Sequence, residues 1–265
     1  MRIHHDLLGE VVLKDEPRRV VSLAPHATDS LFALGLGELL VGRSAFCHRP
    51  ARVLSLPVLG SYTRAREELL ADLAPDLVLL GTGVQRGLAL SLKEKGFPVF
   101  LLPLPISPFG ILENLELLAA LLGVPERATP LVQTLSEGYL ALKNRFNLRV
   151  YLEIDLGGPI TVGRGSYIAA ALRHLGLFPI FGEVPQAYFA PDLAEVPRRA
   201  PDLLIYEPKP WRSRPEDLAK GLMEKRGWRL PLVVTDGDEL AHFGPMFFGF
   251  LEKLAERVAQ TLGKG

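Results

Sequence analysis

Two short segments of this chain are near copies of each other. Pro75-Asp76-Leu77-Val78-Leu79-Leu80 is echoed by Pro201-Asp202-Leu203-Leu204-Ile205-Tyr206. Each is a proline, an acid and an unbroken apolar run, the pattern of a strand buried on both faces of a parallel sheet. Each also follows an earlier strand-like run at a similar distance. Arg19, at the head of the run 20–23, precedes Pro75 by 56 residues, and Arg149, at the head of the run 150–154, precedes Pro201 by 52. A third run follows each copy, at 99–102 and at 232–235. A repeat of this kind constrains the chain to two half-chains of one architecture.

Helical patterns separate these strands, which implies parallel sheets with helices packed on them. Between the halves, Ala128, Leu131, Leu135, Tyr139, Leu142 and Phe146 fall on one face of a helix over 125–146. Such a segment is stiff, whereas a flexible linker is rich in Gly and Ser. Pro125 suits the first turn, with Pro130 as the alternative start. The expected fold is therefore α/β, with two parallel-sheet α/β lobes, residues 1–123 and 148–265, joined by one long bridging α-helix, 124–147. Open parallel sheets take ligands at the carboxyl ends of their strands. The expected ligand cleft lies between the lobes, lined by the loops that leave those strands.

Charge narrows the function. Lys and Arg total 30 and Asp and Glu total 30. A balanced chain lacks the basic face that nucleic acid requires. The single cysteine excludes an internal disulfide. The apolar stretch 97–112 is cut by Pro98, Pro103, Pro105 and Pro108, so it reads as no regular membrane span. The N-terminus shows no signal-peptide pattern. The expectation is a periplasmic or cell-surface protein whose leader was removed, or a cytoplasmic one.

No phosphate loop, nucleophile elbow or His-Glu-x-x-His pattern occurs. Gly35-Leu36-Gly37 lacks the third glycine of a dinucleotide fingerprint and ends a helix that begins near Thr28. The informative loops follow the strands. Pro25 and His26 follow the first, and His26 either contacts a ligand or caps the next helix. Cys47 and His48 are adjacent, an unfavourable arrangement for joint ligation of one metal, which would need two further ligands from elsewhere, with His26 and His242 as candidates. A buried thiol beside an imidazole is the favoured reading there. Gly60-Ser61-Tyr62 and Gly81-Thr82-Gly83 offer backbone N–H groups. Gly163-Arg164-Gly165-Ser166-Tyr167 precedes a helix, so Arg164 and the helix start suit an anionic group. Trp211, stiffened by Pro208 and Pro210, is a flat platform for a large planar ligand. Trp228 reads as packing, and Phe243 follows the last strand.

Arg18-Arg19-Val20-Val21-Ser22-Leu23-Ala24-Pro25, Thr28-Asp29, Leu34-Gly35 and Leu40-Val41-Gly42 resemble the opening of the cobalamin- and iron-chelate-binding proteins of ABC importers, the class with a single helix between lobes. Phe46-Cys47-His48-Arg49-Pro50 is similar to the Tyr-Cys-x-x-Pro loop of the cobalamin branch. The Pro-Asp-Leu strands and Gly244-Pro245-Met246 before the last helix, 247–262, match in order. The resemblance implies a monomeric, non-enzymatic protein with no cofactor of its own. It would deliver a metal chelate to a membrane permease, docking through one acid on each lobe. These acids map to Glu68 and to Glu195, with Asp192 as competitor. Two departures stand out: His26 replaces the usual Ser, and Asp29 the usual Glu.

The ligand expected is a corrinoid, contacted by Pro25, His26, Phe46, Tyr62, Arg164, Tyr167, Trp211 and Phe243. A ferric siderophore or haem is the alternative, with His26 or Tyr188 as axial ligand for haem. From other classes come a metal-dependent enzyme, which would need more cysteines or an acid–base pair, and a cytoplasmic corrinoid or chelate carrier without a permease.

Overall fold

A computed structural model describes residues 2–13, 16–209 and 214–263. The chain divides into two compact units, Met1–Leu104 with Ile111–Thr134, and Pro105–Gly110 with Leu135–Gly265.

The first unit is built on a four-stranded parallel sheet in the order Leu40–Arg43, Val20–Ser22, Leu77–Gly81, Val99–Leu102. Every residue of the last three strands is buried, which explains why the sequence shows no alternation there. Each fully buried Leu or Val contributes about 1.5–3 kcal/mol. Leu40–Arg43 carries no strong strand signal because Gly42 interrupts it. A Cβ at that position would lie 2.5 Å from Leu59 Cδ1, so the chain is closely approached from that side. The helix expected from Thr28 begins earlier, at Pro25, and runs to Ala33. Proline costs nothing at a first helical position, where its missing N–H would have had no partner. Gly35 then turns the chain at φ +70. An antiparallel hairpin, Arg2–His5 with Gly9–Val12, docks through His5. Its Nε2 lies 2.9 Å from Leu101 O and its ring meets Phe100 edge-on at 5.3 Å.

The second unit holds a six-stranded sheet. Leu148–Asp155 pairs in parallel with Leu203–Glu207 and with Leu177–Pro179, and Leu203–Glu207 pairs in parallel with Leu232–Val234. Two antiparallel strands extend it, Pro159–Val162 beside Leu148–Asp155 and then Tyr188–Phe189. The helix Met246–Thr261 buries Phe247, Phe250, Leu251, Leu254 and Val258 on one face. Tyr139 stacks on His174 at 4.0 Å and meets Phe109 and Phe248 edge-on at 5.7 and 6.0 Å.

The helix expected over 125–146 is present as Pro125–Ala141, with the boundary between the units falling after Thr134. Pro130 forfeits one hydrogen bond without ending it. The helix stops five residues short of Phe146 for a local reason. Leu142 and Lys143 donate to carbonyls three residues back, Asn144 adopts φ 55, and its N–H turns away to His174 O. The amphipathic spacing of Leu142 and Phe146 therefore continues past the helix, into the turn that feeds the next strand.

Candidate functional site

In the first unit, the loops at the carboxyl ends of Val20–Ser22, Leu40–Arg43 and Leu77–Gly81 are drawn together by Gln85, which is fully buried. Its Oε1 accepts the Gly81 N–H at 2.8 Å, and its Nε2 donates to Leu23 O at 2.9 Å and Tyr62 O at 3.0 Å. A buried amide that serves three backbone groups fixes their relative positions, because leaving any of them unmade carries the full desolvation penalty. Tyr62 and Phe46 are half-buried and meet edge-to-face with centroids 5.9 Å apart. Pro25 is half-buried at the head of its helix. Val84, 70% exposed, stands in the loop after Leu77–Gly81.

His26 does not join this surface. It is 3% exposed and packs under Gly81, where a Cβ would come within 2.8 Å of its Cε1. An imidazole so placed supports the loops and presents no face for stacking or axial ligation. Cys47 is also buried, with Sγ 3.2 Å from Ser44 Oγ and 3.6 Å from Ser22 O. Burial pushes its thiol up, which makes it inert packing. His48 Nδ1 lies 2.9 Å from Phe46 O. The Arg43 guanidinium holds this loop by donating to Ser44 O and Cys47 O at 3.2 and 3.1 Å. Among the described residues, no group of three or more His, Cys, Asp or Glu is arranged to hold a metal.

In the second unit, Arg164 is exposed, its own N–H bonded to Val184 O at 2.8 Å. Gly163 must be glycine, since a Cβ there would meet Gln186 O at 2.2 Å. Ser166 caps the following helix, its Oγ accepting the Ile168 N–H at 3.1 Å. Tyr167 and Phe243 differ from expectation. Tyr167 has no exposed surface, donates its hydroxyl to Leu240 O at 2.7 Å, and packs on Phe243 and Phe247 at 5.9 and 5.1 Å. Phe243 is 8% exposed. Both belong to the core, because the helix that starts at Tyr167 turns its first residue inward. Tyr188 is half-buried and its phenol is pushed up to about 12 by burial. Trp211 lies outside the described residues. Trp228 packs on Tyr151 at 5.7 Å, with Arg226 over its ring. Ile106, in the loop before the helix Pro108–Leu121, and Leu156, just after the strand Leu148–Asp155, are exposed, with relative exposures of 74% and 58%.

Glu207 escaped the sequence reading. It ends the strand Leu203–Glu207, is 1% exposed, and accepts the N–H groups of Leu240 at 2.6 Å, Ala241 at 2.8 Å and Glu239 at 3.3 Å. Burial pushes its carboxyl up to about 7, against the pull of the Leu240 and Ala241 amides. It pins the loop that leads to His242 and Phe243. Nothing in the sequence distinguishes Glu207 or Gln85 from surface polar residues.

The candidate docking acids differ in setting. Glu68 is exposed near the start of the helix Glu67–Asp72, beside Glu67, which pairs with Lys95 at 2.6 Å. Glu195 starts the short helix Glu195–Arg198 and pairs with Arg199 Nε at 3.0 Å. Arg199 also pairs with Glu183. Asp192 is exposed, with Oδ1 accepting the Ala194 N–H at 2.9 Å.

Residues 20–231 match the family model described as periplasmic binding protein. The chain is 27% identical over 207 residues to the vitamin B12-binding protein of Vibrio parahaemolyticus, covering 74% of each. Two solved structures are similar in fold. The molybdate periplasmic binding protein of Haemophilus influenzae, bound to molybdate, has a TM-score of 0.80 at 15% identity, covering 99% of this chain and 93% of that one. The periplasmic heme-binding protein of Roseiflexus sp. RS-1, in apo form, has a TM-score of 0.75 at 22% identity, covering 94% and 99%.

Proposed function

We propose, for a chain that belongs to the periplasmic binding protein family, that its ligand is a cobalt corrinoid and that it hands this ligand to an ABC importer. The chain is a binding protein of a transport system, not an enzyme. Its family is extracytoplasmic, and among the described residues no helix is long and apolar enough to cross a membrane. The corrinoid is cargo on this reading, not a resident cofactor.

The observation that carries the corrinoid reading is the likeness to the vitamin B12-binding protein over 74% of both chains. The local chemistry supports it. Phe46, Tyr62, Pro25 and Val84 offer the first unit's share of an apolar, aromatic surface suited to a large rigid ligand. Arg164 and Leu156 are the candidate contacts on the second, with Trp211 proposed from its sequence context alone. His26, Tyr167 and Phe243 support these surfaces from behind. We assign residues 1–123 and 148–265 as the functional lobes and 124–147 as the bridge, in a protein that acts as a monomer. Its permease docks on Glu68 and Glu195. A second reading, haem or an anionic iron chelate, draws on the exposed Arg64 and Arg86, which no carboxylate engages among the described residues.

Calorimetric titration with cyanocobalamin, beside haem and a ferric hydroxamate siderophore, tests this. One-to-one cobalamin binding, weakened at least about tenfold by Phe46→Ala or Tyr62→Ala, is the expected result for losing one buried aromatic contact. Cobalamin silence with a haem or siderophore signal would move the ligand and keep the family.

A further inference from the structure

We infer that the ligand end of the first unit is built for an anionic chelate, one carrying peripheral carboxylates, and that Arg64 and Arg86 meet those carboxylates. The inference rests on the reading that the loops at the strands' carboxyl ends take the ligand.

The charge distribution is the first observation. The whole chain is balanced, 30 against 30, yet residues 39–66 contain five arginines, Arg43, Arg49, Arg52, Arg64 and Arg66, and no Asp or Glu. Residues 77–93 contain Arg86 and Lys93 and again no Asp or Glu. Arg49, Arg52, Arg64 and Arg66 lie in the segment that leaves Leu40–Arg43, and Arg86 ends the loop that leaves Leu77–Gly81, whereas Lys93 lies in the last turn of the helix Arg86–Glu94. By contrast, the strand-end loop after Leu232–Val234 in the second unit carries Asp236, Asp238 and Glu239, and Arg257 of the last helix pairs with Asp236 at 2.7 Å and with Glu239 at 2.8 Å.

The second observation concerns three of these cations, Arg64, Arg66 and Arg86. Arg64, Arg66 and Arg86 are exposed, and among the described residues none pairs with a carboxylate. Glu67, the acid next in sequence, is engaged by Lys95. Arg86 is also the first residue of the helix Arg86–Glu94, where the helix dipole disfavours a cation and favours an anion. Helix stability alone would select a different residue there.

The third is placement. Gln85 ties Tyr62 O and Gly81 N to one side chain. Arg64 lies two residues from Tyr62, and Arg86 immediately follows Gln85. Both arginines therefore belong to segments that Gln85 braces, the same segments that carry Tyr62 of the Phe46–Tyr62 aromatic pair. A guanidinium fork matches a carboxylate with two parallel hydrogen bonds, and a neutral amide gives it only a weaker, single acceptor. A ligand that lays a flat apolar face on the aromatic pair and points carboxylates at its rim satisfies all of these groups. Corrinoids with free side-chain acids and haem with its propionates share that chemistry.

Two matched pairs test this by calorimetry: cyanocobalamin against its monocarboxylic acid, with one side-chain amide hydrolysed, and haem against its dimethyl ester, each at 20 and 200 mM NaCl. In the pair that binds, the carboxylate member should be about tenfold tighter at low salt, and the gap should narrow to about threefold at high salt as screening grows. The variant Arg64→Gln/Arg86→Gln should abolish the gap with its urea unfolding midpoint unchanged, since both side chains are exposed. Equal affinity within the pair that binds, or a gap that survives in the variant, overturns the inference. A gap in the haem pair with both corrinoids silent upholds it while refuting the corrinoid reading. If none of the four ligands binds, both are refuted.

Discussion

Asp202 Oδ2 accepts the backbone N–H of Arg149 at 2.7 Å, and the Asp202 N–H returns a bond to Arg149 O at 2.8 Å. The other unit repeats this closure. Asp76 Oδ2 accepts the N–H groups of Arg18 and Arg19 at 3.0 and 3.1 Å, and its own N–H donates to Arg19 O at 2.8 Å. Ala74 and Ala200, two residues ahead of these acids, both take left-handed conformations, with φ 42 and 45. The two Pro-Asp-Leu segments are thus one device used twice. A carboxylate caps the start of the neighbouring parallel strand and sets its register. Asp76 serves two amides and is 6% exposed, whereas Asp202 serves one and is exposed. Asp76→Ala should therefore cost about 2–3 kcal/mol and Asp202→Ala about 1 kcal/mol. Urea unfolding of the two variants measures the difference, and equal costs would contradict the argument.

Glu207 predicts a pH dependence of stability. Its carboxyl is raised in the fold to about 7 from the usual 4.5, chiefly by burial, with Asp238 and Glu239 adding to the rise. A group raised in the folded state holds its proton more tightly there than in the unfolded chain. Its contribution to stability is complete below about pH 4.5 and is lost as pH rises through 7. Facing it are the amides of Glu239, Leu240 and Ala241 and the Thr235 hydroxyl, while the Arg257 charge is spent on Asp236 and Glu239. Unfolding free energies of the wild type and Glu207→Gln should converge or diverge steadily between pH 5 and 8, with the wild type losing ground as pH rises. Parallel curves would show that Glu207 does not titrate in that window.

Gln85 predicts a coupled loss. Gln85→Ala leaves the Gly81 N–H and the Leu23 and Tyr62 carbonyls without their buried partner. Each orphaned group costs about 1–3 kcal/mol, less where water can enter, so a total near 3 kcal/mol is expected. Because Tyr62 is freed along with the core, ligand affinity should fall too, even at temperatures where the variant remains folded. A destabilised variant with unchanged affinity would confine Gln85 to a structural role.

Much of this was legible in the residues. Six apolar runs gave the six central strands because a strand buried on both faces needs no alternation to be seen. What escaped notice had weaker signals. Leu40–Arg43 is broken by Gly42, and Pro159–Val162 begins on a proline that suits an outlying strand as well as a loop. Among the candidate site residues, Phe46, Tyr62 and Arg164 were picked from their loops and are exposed or half-buried in the structure. Tyr167 and Phe243 could not be told from them, since a residue just after a strand points inward or outward according to the first turn of the next element. Gln85 and Glu207 were invisible because their role lies in backbone groups that are distant in sequence, 62 residues for Leu23 and 33 for Leu240.

Glu68 and Glu195 start from unequal positions for docking a permease. Glu68 is exposed, while Glu195 is already engaged by Arg199, which is itself held by Glu183, by Ile180 O at 2.8 Å and by the Phe181 ring at 4.4 Å. On the proposed docking, a permease arginine competes with Arg199 for Glu195, whereas among the described residues no ion pair engages Glu68. Surface pairs of this kind are worth about 0–1 kcal/mol, so Glu195→Gln should shift the unfolding midpoint little. In cells whose own binding protein is replaced by this chain, Glu68→Gln should lower uptake more than Glu195→Gln does. Arg199→Gln, which releases Glu195, should raise uptake at limiting binding protein. Uptake that is indifferent to all three substitutions would remove these acids from the docking surface and favour a carrier that works without a permease.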